Sequence, residues 1–201
     1  MTARILLVVS DDRARETFSG YLRGLPAGYS LSTAPDGHAA LDMLRSAPVD
    51  AVIFGSGLPN SEFPSLARRI STEYSHVKIL IIAGDSRCAL ILDAFDAGAV
   101  GYLLTEQFEA EIGAALRTVL SGKTYLSPRI TRGTPLKTFL KELRRTYFQE
   151  IFTRTELAVL KCIQMAMSNR RIAETLHISV STVKTHKTHI MDKLGIRNAP
   201  E

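Results

Sequence analysis

The sequence predicts an α/β unit, a doubly wound five-stranded parallel sheet, followed by a smaller all-helical unit. Three observations carry this. Strand-length apolar runs alternate with helical patterns five times between residues 1 and 125. Three helix starts, two with strong caps, then crowd into residues 152–198. The charge also reverses along the chain. Residues 1–125 hold 11 Lys/Arg against 14 Asp/Glu, a net −3, while residues 126–201 hold 14 against 6, a net +8. A mildly acidic front and a basic back suggest two units, the second suited to a polyanion.

The elements of the front follow in order. Residues 4–9, RILLVV, read as a first strand, and Arg13 to Leu25 as a helix opened by Asp11 and Asp12. Residues 29–34 alternate with period two. Asp36 is placed to cap a helix reaching Arg45. Residues 50–54, DAVIF, form the third strand, and a helix from Ser61 to Tyr74 has Ser61 as its cap. Residues 77–83, VKILIIA, are continuously apolar, as in a strand buried on both faces. Asp85 caps the helix to Ala97, residues 100–104 are the fifth strand, and Glu106 to Ser121 is the last helix. Strand–helix alternation at this length gives right-handed crossovers and flavodoxin-like strand order.

Residues 126–151 read as a linker. Leu136, Phe139 or Leu140, Leu143, Tyr147 and Ile151 recur at helical spacing, giving an amphipathic helix with a basic outer face. Its apolar stripe either packs on one of the units or pairs with its copy in a dimer.

Residues 152–201 form the helical unit. Thr153 to Glu156 reads T-x-x-E, a capping box, followed by apolar Leu157, Val159, Leu160 and Ile163. Ser168 caps a second helix with Ile172, Ala173 and Leu176 inside. Ser179 caps a third with Val183, Ile190 and Leu194 inside, and Gly195 ends it. Only His177-Ile178 joins the second helix to the third, a helix–turn–helix connection. Ser181, Thr182, Lys184, Thr185, Lys187 and Thr188 face outward on the third helix. Small hydroxyls interleaved with lysines fit a major groove and still donate hydrogen bonds. Double-stranded DNA is the partner this combination predicts.

The residues SNRRIAETLHISVSTVKTHKTHIMDKLGIRN, and within them S-N-x-x-I-A, I-S-x-x-T-V-K-x-H and K-L-G, resemble the DNA-binding domain of the LuxR/NarL/FixJ transcription factors. GAVGYLL (98–104) and GKTYLSP (122–128) resemble the CheY-like receivers joined to that domain. The resemblance implies base contacts from Lys184, Thr185 and Thr188. It implies DNA-backbone contacts from Asn169, Ser179, Thr182, His186, Lys187 and Lys193. It also implies a homodimer, and one more helix after K-L-G, whose first turn would be Asn198 to Glu201 with Pro200 early in it.

A working receiver of this family carries an acidic pair after the first strand for Mg²⁺, a phosphoacceptor aspartate after the third, a hydroxyl after the fourth and a lysine after the fifth. The matching positions here are Val9 and Ser10, Gly55, Ala83 and Thr105. A receiver so changed is expected to work without phosphorylation, metal or cofactor, through dimerisation, or a small ligand or partner protein at the receiver. Alternatively the receiver is a scaffold for dimerisation in a protein that binds DNA constitutively, or control is by abundance alone. Two other readings stay open: a phosphotransfer receiver using Asp11 or Asp12, and an interaction protein that titrates another regulator. Ser56 reads as a turn residue and Tyr102 matches an aromatic that receivers move on activation.

Several classes are excluded by composition. No apolar run reaches the ~18 residues of a membrane span. The N-terminus lacks a signal-peptide cleavage pattern. Cys88 and Cys162 read as two buried thiols of a cytoplasmic protein, not a disulfide or metal site. No enzyme motif stands out.

Overall fold

The computed structural model describes residues 2–26, 28–55 and 63–194. Ser56, Ser61 and Gly195 to Glu201 lie outside them, and so do the expectations that rested on those positions. The chain divides into two compact units, residues 1–140 and 141–201.

The first unit is built on a parallel sheet of order β2-β1-β3-β4-β5-β6. The strands are β1 (Arg4–Val8), β2 (Ser30–Ala34), β3 (Ala51–Phe54), β4 (Lys78–Ala83), β5 (Gly101–Leu104) and β6 (Tyr125–Leu126). Between them run α1 (Asp12–Arg23), α2 (Gly37–Ser46), α3 (Phe63–Glu73), α4 (Cys88–Asp96), a 3-10 turn at Thr105–Gln107 and α5 (Phe108–Leu120). This is the doubly wound α/β architecture expected, with one strand more. The sixth arises because GKTYLSP returns alongside β5, where the Tyr125 N–H donates to the Val100 carbonyl and that of Ser127 to Tyr102. Two residues are too short for a periodic pattern to reveal.

Alternation along the strands splits the core in two. Ile5, Leu7, Ile53, Leu80, Ile82 and Leu103 pack with Phe18 and Leu22 of α1 and with Phe108, Ile112 and Leu116 of α5. The alternate set, including Leu6, Val8, Val52, Phe54 and Ile79, is equally buried, and α2, α3 and α4 each pack against a strand. Burial on both faces explains why these strands read as continuous apolar runs.

Capping decides where the helices begin. Asp11 accepts from the Ala14 N–H at 2.7 Å, so it opens α1 as expected. Asp36 does the same for α2 through Ala39. Asp85 departs from expectation. Its carboxylate folds onto the Arg87 backbone N–H at 2.7 Å and the Arg87 guanidinium at 2.5 Å. That local turn delays α4 to Cys88, and the helix starts without a side-chain cap. Cys88, first in α4, is consequently only half-buried, whereas Cys162 is buried as expected; both are free.

After α6 (Pro128–Thr131), α7 (Leu136–Ile151) realises the amphipathic helix of the linker. Leu143 is its one buried residue. The second unit holds α8 (Arg154–Gln164), α9 (Asn169–Leu176) and α10 (Val180–Leu194). Its core is Phe152, Val159, Cys162, Ile172, Ala173, Val183 and Ile190. Ile163 and Leu194, expected inside, are 37% and 44% exposed; three short helices make too small a core to enclose every apolar residue of each stripe.

Candidate nucleic-acid interface and receiver site

Helix α10 is positioned by the turn before it. His177 takes a left-handed conformation, φ 54°, which ends α9 within one residue. The Ile178 N–H then donates to the Ala173 carbonyl at 3.0 Å, and Ile178 packs on the core. Ser179 accepts from the Thr182 N–H at 3.0 Å, closing the first turn of α10. Its hydroxyl also lies 2.6 Å from that of Ser181 and 2.7 Å from that of Thr182.

Val183 and Ile190 anchor α10 inward. On its other side Ser181, Lys184, Thr185 and Thr188 are exposed, and Thr182, His186 and Lys187 half-buried. Thr185 and Thr188 donate back to the carbonyls of Ser181 and Lys184, each at 3.2 Å. Such bonds hold the methyls outward and are easily exchanged for a ligand acceptor. Lys187 Nζ donates to Asn169 Oδ1 at 3.3 Å, which joins α10 to the start of α9.

Lys193 is differently placed. Its ammonium donates to Glu156 Oε2 at 2.6 Å and lies 5.8 Å from the centre of the Phe152 ring. Glu156 is 3% exposed and also accepts from the Thr153 N–H at 2.8 Å in the capping box. The hydrogen bond from Lys193, with help from Thr153, holds the Glu156 carboxyl at about 2, well below its ordinary 4.5. The capping role of Glu156 is legible from T-x-x-E; its pairing with Lys193, 37 residues on, joins two elements that no local pattern connects.

In the first unit, the carboxyl ends of β1, β3, β4 and β5 converge as they do in sheets that bind ligands there. Val9, wholly buried, follows β1, and Gly55 follows β3. A Cβ at Gly55 would stand 2.5 Å from Val9 Cγ2, inside any normal carbon contact, and a tight 3.2 Å from Phe18 Cε2. Ala83 ends β4, and Thr105 follows β5 with a buried hydroxyl that has no hydrogen-bond partner among the described residues. Arg15 donates to the Val9 carbonyl at 2.9 Å and also binds Asp12. A guanidinium thus covers the end of β1.

A cavity of about 300 Å³ opens nearby, lined by Phe54, Gly55, Ile81, Asp85, Leu90 and Tyr102 among others. Tyr102 is 1% exposed and donates to the Asp85 carbonyl at 2.5 Å. Burial raises its phenol to about 12, so it stays protonated and keeps this bond.

Comparison with known proteins agrees with both halves. Residues 5–117 match the response regulator receiver domain, and residues 150–201 match the bacterial regulatory proteins of the luxR family. The chain belongs to the luxR family of response regulators. Like its family it is a DNA-binding transcription regulator of the two-component type. The oxygen regulatory protein NreC of Staphylococcus aureus is 30% identical across 97% of this chain and 93% of its own. Response regulator ChrA of a heme-sensing two-component system is similar in structure, with a TM-score of 0.53 and 26% identity over 98% of this chain and 92% of that one. RcsB of Salmonella typhimurium has the same fold, with a TM-score of 0.60 at 16% identity, over 99% and 95% of the two chains. These relatives are regulators rather than enzymes. Among the described residues no helix is long and apolar enough to cross a membrane.

Proposed function

We propose that this luxR-family regulator acts in the cytoplasm as a homodimer on double-stranded DNA, and that its receiver is degenerate and works without aspartyl phosphorylation. One observation carries the second part. A Cβ at position 55, the first atom of any acceptor side chain, would run into Val9 and press on Phe18. The surroundings support it. Neither Val9 nor Ala83 offers an oxygen from its side chain to a metal or phosphate. The Arg15 guanidinium, paired with Asp12, occupies the carbonyl of Val9 at the end of β1. Of the two substitute acceptors, Asp11 already caps α1 and Asp12 pairs with Arg15. Control then comes from dimerisation, or from a small ligand or partner protein at the receiver, for which the apolar cavity beside Tyr102 is of suitable size.

On DNA, Lys184, Thr185 and Thr188 contact bases, while Asn169, Ser179, Thr182, His186 and Lys187 contact the backbone. Lys193 contacts the backbone as well, its ammonium being shared with Glu156 in the free protein. A dimer related by a two-fold axis calls for an inverted-repeat operator. RcsB has been solved bound to DNA, and as two dimers on two parallel DNAs, which favours the same assembly here.

The test is incubation with acetyl phosphate or beryllofluoride and Mg²⁺, read by intact mass, by oligomeric state and by retention of an inverted-repeat DNA. No change in any of the three is expected. A phosphoryl mass gain, or a dimer formed only with beryllofluoride, would overturn the reading.

A further inference from the structure

The second unit contains a cluster of metal-ligand side chains, of which only His186 is among the proposed DNA contacts. Glu156 of α8 and His186 and His189 of α10 each offer a ligand atom, and the three atoms lie within 4.8 Å of one another. The two histidines are three residues apart, so one helix face presents both. Glu156 is a divided carboxylate. Its Oε2 accepts from both Lys193 and the Thr153 N–H, while Oε1 is turned to His189 Nδ1 at 3.9 Å. His186 carries a second signal. Its Nδ1 is buried and has no hydrogen-bond partner among the described residues. A buried ring nitrogen without a partner is uncommon, and a bound ion is one of the standard reasons for it.

We propose that Glu156, His186 and His189 form a binding site for a divalent transition-metal ion of the zinc class. Two imidazoles and one carboxylate are a donor set that zinc accepts, with a fourth position left to water. Tetrahedral donors at 2.0–2.1 Å from zinc stand about 3.3 Å apart, so the present cluster must contract by about 1.5 Å at its widest. His189, with a 56% exposed side chain, is free to make that movement and gives the ion a route in from solvent. Glu156 need not move: Lys193 keeps Oε2 and the metal takes Oε1. The ion would fasten α10 to α8, two elements otherwise joined here by the Lys193 ion pair and by core packing. The sequence alone does not point to this cluster, because His186 and Glu156 are 30 residues apart and share no ligand-spacing motif.

The experiment uses the full chain, freed of metal, titrated with Zn²⁺ by calorimetry and followed by thermal melting. His189→Asn is the deciding variant, since His189 is exposed and outside the proposed DNA contacts. The expected result is one equivalent bound, a rise in the melting temperature of the wild type, and an affinity loss of about tenfold or more in H189N. The variant should keep its DNA affinity in metal-free buffer, which shows that α10 is still formed. Absence of binding overturns the proposal. So does binding that H189N leaves unchanged, which would assign the ion to other residues such as the free thiols of Cys88 and Cys162.

Discussion

Gly55→Asp would return a carboxylate to the end of β3, and the packing there predicts that it fails. The new Cβ would stand 2.5 Å from Val9 Cγ2, where carbon atoms ordinarily keep about 3.5–4.0 Å. Val9 is 0% exposed and Phe18 6%, so any shift of either must be made within the core. Overpacking of this kind costs about 1–3 kcal/mol. A unit of 140 residues loses about 3 °C of melting temperature per kcal/mol, so the variant should melt about 3–10 °C lower. Val9→Ala alone should also destabilise, by about 2 kcal/mol from lost methyls and the space they leave. Combined with Gly55→Asp it should cost at least about 1 kcal/mol less, because the smaller side chain makes room for the new one. Thermal and urea melts of the four proteins measure that coupling. If the two substitutions add within about 0.5 kcal/mol and Gly55→Asp melts like the wild type, the filled-pocket argument is wrong.

Three other outcomes follow from the same geometry. Lys184→Ala should weaken DNA binding and relax one base position by about 1–3 kcal/mol, measured by competition among operator variants; an equal loss on every sequence would make Lys184 a phosphate contact. Glu156 has a folded value depressed to about 2 from 4.5, so its contribution to stability is present above 4.5 and is lost as pH falls toward 2. Acid titration of the helical unit should show that loss, and Lys193→Met should flatten it; an unchanged acid profile in the variant would contradict the assigned cause. Thr105→Val removes a buried hydroxyl that lacks a partner, and should stabilise the first unit by about 1 kcal/mol in a urea melt; a loss of stability would mean that the hydroxyl is bonded.

Much of the fold was legible because the sheet is buried on both faces and its helices are capped by short polar side chains. Ile79 to Ile82 could be nothing but an interior strand, and Asp11, Asp36, Thr153 and Ser168 each announced a helix with an oxygen three residues ahead of the amide it accepts from. Asp85 shows the limit of that rule. A carboxylate followed two residues later by arginine has a nearer partner than the helix start, and it takes it. The candidate site divides in the same way. The outward face of α10 follows from helical period alone, so Lys184, Thr185 and Thr188 could be read directly. Lys193 could not, because its partner lies 37 residues back on another helix. Nor could the orphaned nitrogen of His186, which depends on what surrounds the ring and not on what flanks it in the chain.

The short strand β6 bears on how the protein can be divided. Charge reverses near residue 125, which invites a cut there. Such a cut would remove Leu126 and Ser127 and leave only Tyr125 beside β5. Tyr102 to Leu104 would then present unpaired backbone donors and acceptors, a template on which a second molecule can assemble. An isolated receiver ending at 125 should therefore aggregate, whereas one carried through Gly133 should keep its sheet edge closed.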